Sequence, residues 1–175
     1  MVDLAEIQAA YYMVAATGVL VAAGYYVLNM RATLQTRQAQ LFMQIFQRFQ
    51  EPEFTKKWSS LMDTEWSDYE DYMNRISSNP DHSADRLSVQ TYFEGVAVLL
   101  MKNMIDVDFV YELMPTMATT FWKKYEPIAK VVRERLNYPQ WFRPVEYLSD
   151  KMIEQAKRRG DPVVLSYRGN SEAND

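Results

Sequence analysis

Residues that could carry out acid–base, nucleophilic or metal chemistry are few in this chain. Its 175 residues include no cysteine and one histidine, His82. The lack of cysteine excludes disulfides, thiolate metal sites and a cysteine nucleophile, and a single histidine excludes metal centres with several histidine ligands built by this chain alone. The sequence contains no glycine-rich phosphate loop and no nucleophile elbow. We therefore expect a protein that is not an enzyme and that has no catalytic residue, metal ion or cofactor.

Glu94 is the best candidate for acid–base chemistry, because it lies within the strongest helical pattern of the later chain. The spacing of apolar residues predicts a helix over 86–103, with Val89 and Phe93 on its inner side. A carboxylate in such a place can act as a general acid or base. A partly buried glutamate is more often paired with arginine, lysine or tyrosine, so we interpret Glu94 as a structural buried charge. The adjacent Gly95 costs about 1 kcal/mol relative to alanine in the middle of a helix, which predicts that another helix crosses closely there.

Two other polar segments are interpreted as structural. The acidic segment 63–71 lacks the central glycine and the ligand spacing of a calcium loop, and we interpret it as the solvated face of a short helix. Residues 77–85, SSNPDHSAD, are rich in residues that favour turns. They predict an internal loop that leaves His82 exposed.

The longest apolar stretch, residues 7–30, contains no charged residue. About 20 apolar residues in a helix cross a hydrocarbon core about 30 Å thick, and a backbone in lipid must satisfy its own hydrogen bonds. We therefore predict a single transmembrane helix. A cleaved signal peptide would have a basic start and a shorter apolar core, whereas this stretch follows Asp3 and Glu6. A helix buried in a soluble core is the other alternative, but no other segment is apolar enough all round to enclose it.

The ends and one face of this predicted membrane helix have characteristic residues. Those expected at the membrane interfaces are Tyr11, Tyr12, Tyr25, Tyr26 and Arg31. The small residues Ala15, Gly18 and Ala22 share one face, which allows a second helix to approach closely. Arginine and lysine follow the apolar stretch and none precedes it. This asymmetry predicts a cell-membrane protein with its N-terminus outside and its helical domain in the cytoplasm.

The rest of the chain predicts an all-α fold, in which the membrane helix continues into a helical bundle. No strand signal of any length occurs, and proline and glycine divide the later sequence into several helices. An aromatic and aliphatic stripe at helical spacing is a candidate partner surface, formed by Leu41, Phe42, Ile45, Phe46 and Phe49. The predicted organisation is a transmembrane anchor over 1–30, a helical bundle over 31–159 and a polar tail over 160–175.

Several short motifs occur in an order that resembles a known family. They are RQAQL at 37–41, PEF at 52–54, YFEGV at 92–96, FWKKYEPI at 121–128, RER at 133–135 and EYL at 146–148. The likeness runs over roughly residues 31–156 and is to the prokaryotic domain-of-unknown-function family numbered 4760. It implies one N-terminal membrane helix followed by a helical domain, and it supplies no activity, cofactor or catalytic residue.

These observations favour a non-catalytic, membrane-anchored interaction protein that serves as an accessory or scaffold subunit of a larger membrane complex. Its expected partners are membrane lipid and either another membrane protein or a second copy of itself. The formal net charge of -4 gives no indication of nucleic-acid binding. One alternative is a membrane-tethered enzyme that uses acidic residues such as Glu94. The other is a lipid-surface sensor that uses Lys151, Lys157, Arg158 and Arg159, although cations at the end of a helix also complement its dipole.

Overall fold

The computed structural model describes residues 3–166, apart from the side chain of Ser77, and this part of the chain is helical with no strand. The helices are α1 (Leu4–Gln50), α2 (Pro52–Asp63), α3 (Tyr69–Ser78), α4 (Pro80–Met101), α5 (Val107–Leu113), α6 (Met117–Arg135) and α7 (Arg143–Arg159). The predicted all-α fold is confirmed, as is the uninterrupted helix that connects the apolar stretch to residue 50.

The chain divides into two compact units, residues 1–40 and residues 41–175. None of the described residues up to Gln40 is buried, and the first buried side chain of α1 is that of Ile45. The bundle therefore begins at Leu41 and not at the predicted Arg31, because the intervening turns of α1 bury no side chain.

Helices α4 and α7 form the centre of the bundle. Helix α4 packs against α2, α3 and α7, and α7 packs also against α5 and α6. Phe93 of α4 and Leu148 of α7 are fully buried. Full burial of one such side chain stabilises the folded state by about 1.5–3 kcal/mol. The helix predicted over 86–103 is present as the later part of α4, and α4 and α7 share the central position.

Short local signals set several of the helix ends. Asp68 accepts a hydrogen bond from the Asp71 amide at 2.9 Å, and Asp106 accepts one from the Asp108 amide at 2.8 Å. Each satisfies a donor at a helix N-terminus that has no partner within the helix. Gly160 follows α7 with a φ of +77°, a left-handed conformation that glycine adopts without steric cost.

The prediction of a loop over 77–85 is wrong. Helix α3 ends at Ser78 and α4 begins at Pro80, so that Asn79 alone separates them. The Asn79 side chain accepts a hydrogen bond from the His82 amide at 3.2 Å. Residues that favour turns are also common at the start of a helix. An asparagine side chain there can accept a hydrogen bond from a free backbone amide, and a proline has no amide hydrogen that would need a partner. His82 is buried in that first turn and is not an exposed loop residue.

The helix crossing expected at Gly95 is corrected, and Pro127 does not interrupt α6. A Cβ added at Gly95 would meet no atom within 4 Å, so no helix of the described chain crosses there. Pro127 lies inside α6, which continues to Arg135 without restarting. The missing proline amide removes one hydrogen bond, but the buried face of α6 continues past it through Ile128, Ala129 and Val132. Packing on both sides therefore holds the helix together.

The predicted polar tail is positioned on the bundle over its described part, residues 161–166. The Tyr111 hydroxyl donates to Asp161 at 2.8 Å, and the Thr119 hydroxyl donates to the Val164 carbonyl at 3.0 Å. Residues 167–175 of that prediction lie outside the described residues.

Candidate interaction surfaces

The apolar part of α1 is the largest exposed hydrophobic surface of the described chain. Leu4–Gln50 is long and apolar enough to cross a membrane, and its most apolar window has no buried residue. Leu20 and Val21 are 73% and 67% exposed. The alternative of a helix enclosed by its own soluble core is therefore wrong for this structure. Water disfavours so much exposed apolar area, which indicates that lipid or protein covers it.

Three polar side chains near or within the apolar part of α1 form hydrogen bonds within the helix, those of Gln8, Thr17 and Thr33. The Thr17 hydroxyl donates to the Met13 carbonyl at 2.8 Å, and Thr33 bonds Asn29 in the same way. Gln8 donates its amide to the Tyr12 hydroxyl at 3.3 Å, and the ring of Tyr12 meets Tyr11 edge to face. Such internal bonds suit lipid, which offers no water to threonine hydroxyls.

The predicted helix-packing face of α1 is exposed. The side chains of Ala15 and Ala22 and the backbone of Gly18 are exposed, and a Cβ at Gly18 would meet no atom within 4 Å. The predicted interface residues Tyr25, Tyr26 and Arg31 are also exposed. The fold thus leaves the small-residue face open to an external helix.

Most of the candidate partner surface over 41–49 packs against the chain's own bundle. The prediction that this surface is available to an external partner is therefore corrected. Ile45 is buried, and Leu41 and Phe49 pack against the core. The Phe42 ring stacks on Phe46 at 6.0 Å between centroids. The Phe42 ring also lies 5.3 Å from the ring of Phe109 in α5, and the Tyr92 hydroxyl donates to the Ile45 carbonyl at 3.2 Å. The stripe is one wall of the chain's own core, because α1 continues directly into the bundle.

Glu94 differs from the expected buried charge in its exposure and its partner. It is half-buried, and its carboxylate accepts a hydrogen bond from the Gln90 amide at 2.9 Å. Gln90 in turn accepts one from the Arg86 guanidinium. Within residues 3–166, Glu94 forms no ion pair. The predicted arginine, lysine or tyrosine partner is replaced by Gln90, which also binds Arg86, about two turns before Glu94. Nothing in this arrangement activates Glu94 as an acid or a base.

The cationic cluster at the end of α7 is mostly neutralised by acidic neighbours. The ion pairs are Lys151–Glu154 at 2.7 Å, Arg158–Asp108 at 3.0 Å, Arg159–Asp108 at 2.9 Å and Arg159–Glu112. The hydrogen bond from Arg159 holds the pKa of Asp108 below its usual value. Among the described residues, Lys157 is the only cation of the four without an ion pair. The structure therefore favours a stabilising role for this cluster over a lipid sensor.

Two surface grooves flank residues 161–166. The first has a volume of about 270 Å³ and is lined mainly by apolar groups that include Met152 and Ile153. The second has a volume of about 280 Å³ and includes Glu65 and Lys123. Lys123 is paired with Glu126 at 2.9 Å. No group of three or more histidine or acidic residues in the described part of the chain is arranged to hold a metal ion. The Tyr111 hydroxyl and the Asp161 carboxylate to which it donates both line the first groove.

One polar group in the core was not foreseen from the sequence. Tyr125 is fully buried, and its hydroxyl has no hydrogen-bond partner among the described residues. Its ring packs against Phe121 and Trp66, with centroids 4.7 and 5.2 Å away. Burial raises the pKa of Tyr125 well above its usual value. The apolar pattern of α6 places Tyr125 on the inner face, but nothing in the sequence shows that its hydroxyl lacks a partner.

Protonation of His82 is expected to destabilise the protein. Burial lowers the pKa of His82, and Arg86 and Lys124 lower it further, while Asp85 opposes them. The unfolded chain, with an ordinary histidine pKa of about 6.5, then binds more protons than the folded chain. The free energy of unfolding therefore has its full value above about pH 6.5 and falls as the pH decreases towards the lower pKa of the folded state.

The measurement is the melting temperature between pH 7 and pH 5 for the parent chain and for His82→Gln. The parent should lose more stability than the variant over this interval, since the chain has no other histidine. Identical pH profiles would show that His82 is accessible to water in the folded state.

Comparison with known proteins assigns most of the chain to one family. The family model described as "Domain of unknown function (DUF4760)" matches residues 12–152. The chain belongs to this family. The match begins inside the apolar stretch, so the DUF4760 pattern includes most of the exposed helix as well as the bundle. No curated protein and no solved structure matches the chain.

Proposed function

We propose that this chain is a non-catalytic, single-pass membrane protein that acts through contacts with other chains, as an accessory or scaffold subunit of a larger membrane complex. The observation that carries the proposal is the exposed, uncharged helix over 7–30, whose face of Ala15, Gly18 and Ala22 is not covered by the chain itself. A tether needs only hydrophobicity, whereas an open small-residue face also supplies a packing site.

The proposed orientation has the N-terminus outside and the bundle in the cytoplasm. Arg31 and Arg37 follow the apolar stretch closely, and Asp3 and Glu6 are the charged residues before it. Basic residues are retained on the cytoplasmic side, and acidic residues contribute little to topology. The bundle would then meet its partners at the inner membrane surface.

Gly18→Leu tests the proposal, because it adds bulk at the centre of the small-residue face without reducing hydrophobicity. Lipid tails are as apolar as leucine, so association of membrane helices depends on close packing. We expect normal membrane insertion and about a tenfold loss of a co-purified membrane protein or of cross-linked dimer, which corresponds to about 1.4 kcal/mol.

Gly24→Leu is the matched control, since it makes the same change in the same helix at a position about 150° around the axis from the centre of the small-residue face. A Cβ added at Gly24 would meet no atom within 4 Å. The control should behave like the parent. Equal recovery of partner from both variants and the parent would remove the small-residue face from the proposal.

A further inference from the structure

The outward face of α4 is exposed and uncharged over most of the helix. The residues of this outer face are Ala84, Leu87, Thr91, Gly95 and Val98, spaced three and four residues apart and all exposed. Asp81 and Lys102 lie at its two ends. The opposite face of α4 forms the bundle core. A helix that carries no charge on its outer face and is apolar on its inner face is normally enclosed on both.

On the outer face, each large side chain on one side of Thr91 has a small one at the same distance on the other side. Leu87 lies four residues before Thr91 and Gly95 four residues after it, while Ala84 and Val98 lie seven residues on either side. In an antiparallel pair of identical helices related by a two-fold axis at Thr91, Leu87 of one copy enters the space over Gly95 of the other. Ala84 then lies beside Val98. A large residue therefore meets a small one at both levels, as ridges-into-grooves packing requires.

Gly95 supplies the space that such a pair needs. Any Cβ at this position would meet no atom within 4 Å, so the chain does not use the depression itself. Leu87 is 55% exposed and Val98 is 44% exposed. The glycine lowers helix propensity without a compensating contact inside the described chain.

The charges at the ends of the face are complementary in the same register. The two-fold axis places Asp81 of one copy level with Met101 of the other, one residue before Lys102. Asp81 and Lys102 are exposed, and neither forms an ion pair within residues 3–166. A parallel arrangement would instead bring like charges together at each end.

We propose that a second copy of this chain packs its α4 antiparallel on this outer face, with the two-fold axis at Thr91. The inference rests on the proposed function as an interaction protein, but it uses a surface separate from the membrane helix. One helix-to-helix contact buries much less than the roughly 1,600 Å² of a standard interface. Confinement of both chains to one membrane raises their effective concentration, which compensates for the small area.

The natural lack of cysteine makes the test specific. Thr91→Cys introduces a single thiol at the proposed axis, where each copy meets its own equivalent. Oxidation of membranes that contain the full chain should convert it to a disulfide-linked dimer. Lys157→Cys is the control, because Lys157 is exposed on α7 and away from the outer face. Equal dimer yields from the two cysteine variants would mean random collision and would overturn the proposal.

A swap of the large and small residues tests the register. Gly95→Leu, added to Thr91→Cys, should remove most of the dimer without lowering the melting temperature, since the monomer has room for the side chain and leucine favours the helix. Leu87→Ala added to that variant should restore the dimer, because the large residue then meets the small one again. Undiminished dimer with Gly95→Leu would overturn the register.

Failure of this inference can be separated from failure of the proposed function. A monomeric Thr91→Cys chain that co-purifies with a different membrane protein in fixed stoichiometry contradicts the inference and supports the function. A monomeric chain that co-purifies with no protein contradicts both.

Discussion

A chain that lacks residues 1–30 is expected to leave the membrane fraction and to remain a folded, largely helical protein. The compact unit that forms the bundle comprises residues 41–175, and every buried hydrophobic residue belongs to it, from Ile45 to Ala156. All described residues of the deleted segment, 3–30, are exposed. It contains the entire uncharged stretch, so the hydrophobic attachment is lost with it.

Fractionation followed by circular dichroism measures both parts of this result. The control is the full chain, which should stay in the membrane fraction after a high-salt wash, since salt weakens electrostatic but not hydrophobic attachment. If the truncated chain also resisted the high-salt wash, the bundle would have its own membrane attachment and the single-anchor interpretation would be wrong.

Truncation of Tyr125 to alanine should cost about 3–5 kcal/mol, whereas Tyr125→Phe should be close to neutral or stabilising. The ring is fully buried and lies between residues of three neighbouring segments, Trp66, Tyr72 and Phe142. Alanine leaves a cavity there, and well-packed surroundings collapse only in part. The hydroxyl has no partner among the described residues, so phenylalanine removes a buried polar group whose desolvation was not compensated.

Thermal unfolding of the two variants measures this contrast. Each kcal/mol shifts the melting temperature of a protein of this size by about 2–4 °C, so the alanine variant should melt about 6–20 °C lower. Tyr138→Ala is the control, because Tyr138 is 53% exposed and its truncation should change stability by less than about 1 kcal/mol. A loss of several kcal/mol with Tyr125→Phe would show that the hydroxyl has a partner, such as a buried water.

Sequence alone was sufficient for features that depend on neighbouring residues. The uncharged stretch over 7–30 predicts a helix long and apolar enough to cross a bilayer, and the structure has such a helix there. Asp106 and Gly160 mark the start of α5 and the end of α7 because capping is a contact within one turn. Helical spacing of apolar residues likewise predicted the all-α class.

Tertiary structure decided which apolar faces are covered and by what. The stripe that contains Ile45 is predicted from spacing as an apolar face, yet spacing cannot distinguish the chain's own α4 and α5 from an external partner. His82 stands among turn-forming residues, and only the packing of α4 buries it. At Gly95 the sequence suggested a close neighbour, and the fold leaves that face open. The spacing of apolar residues predicts which face of a helix is apolar. Which element packs on that face depends on contacts between residues far apart in the chain.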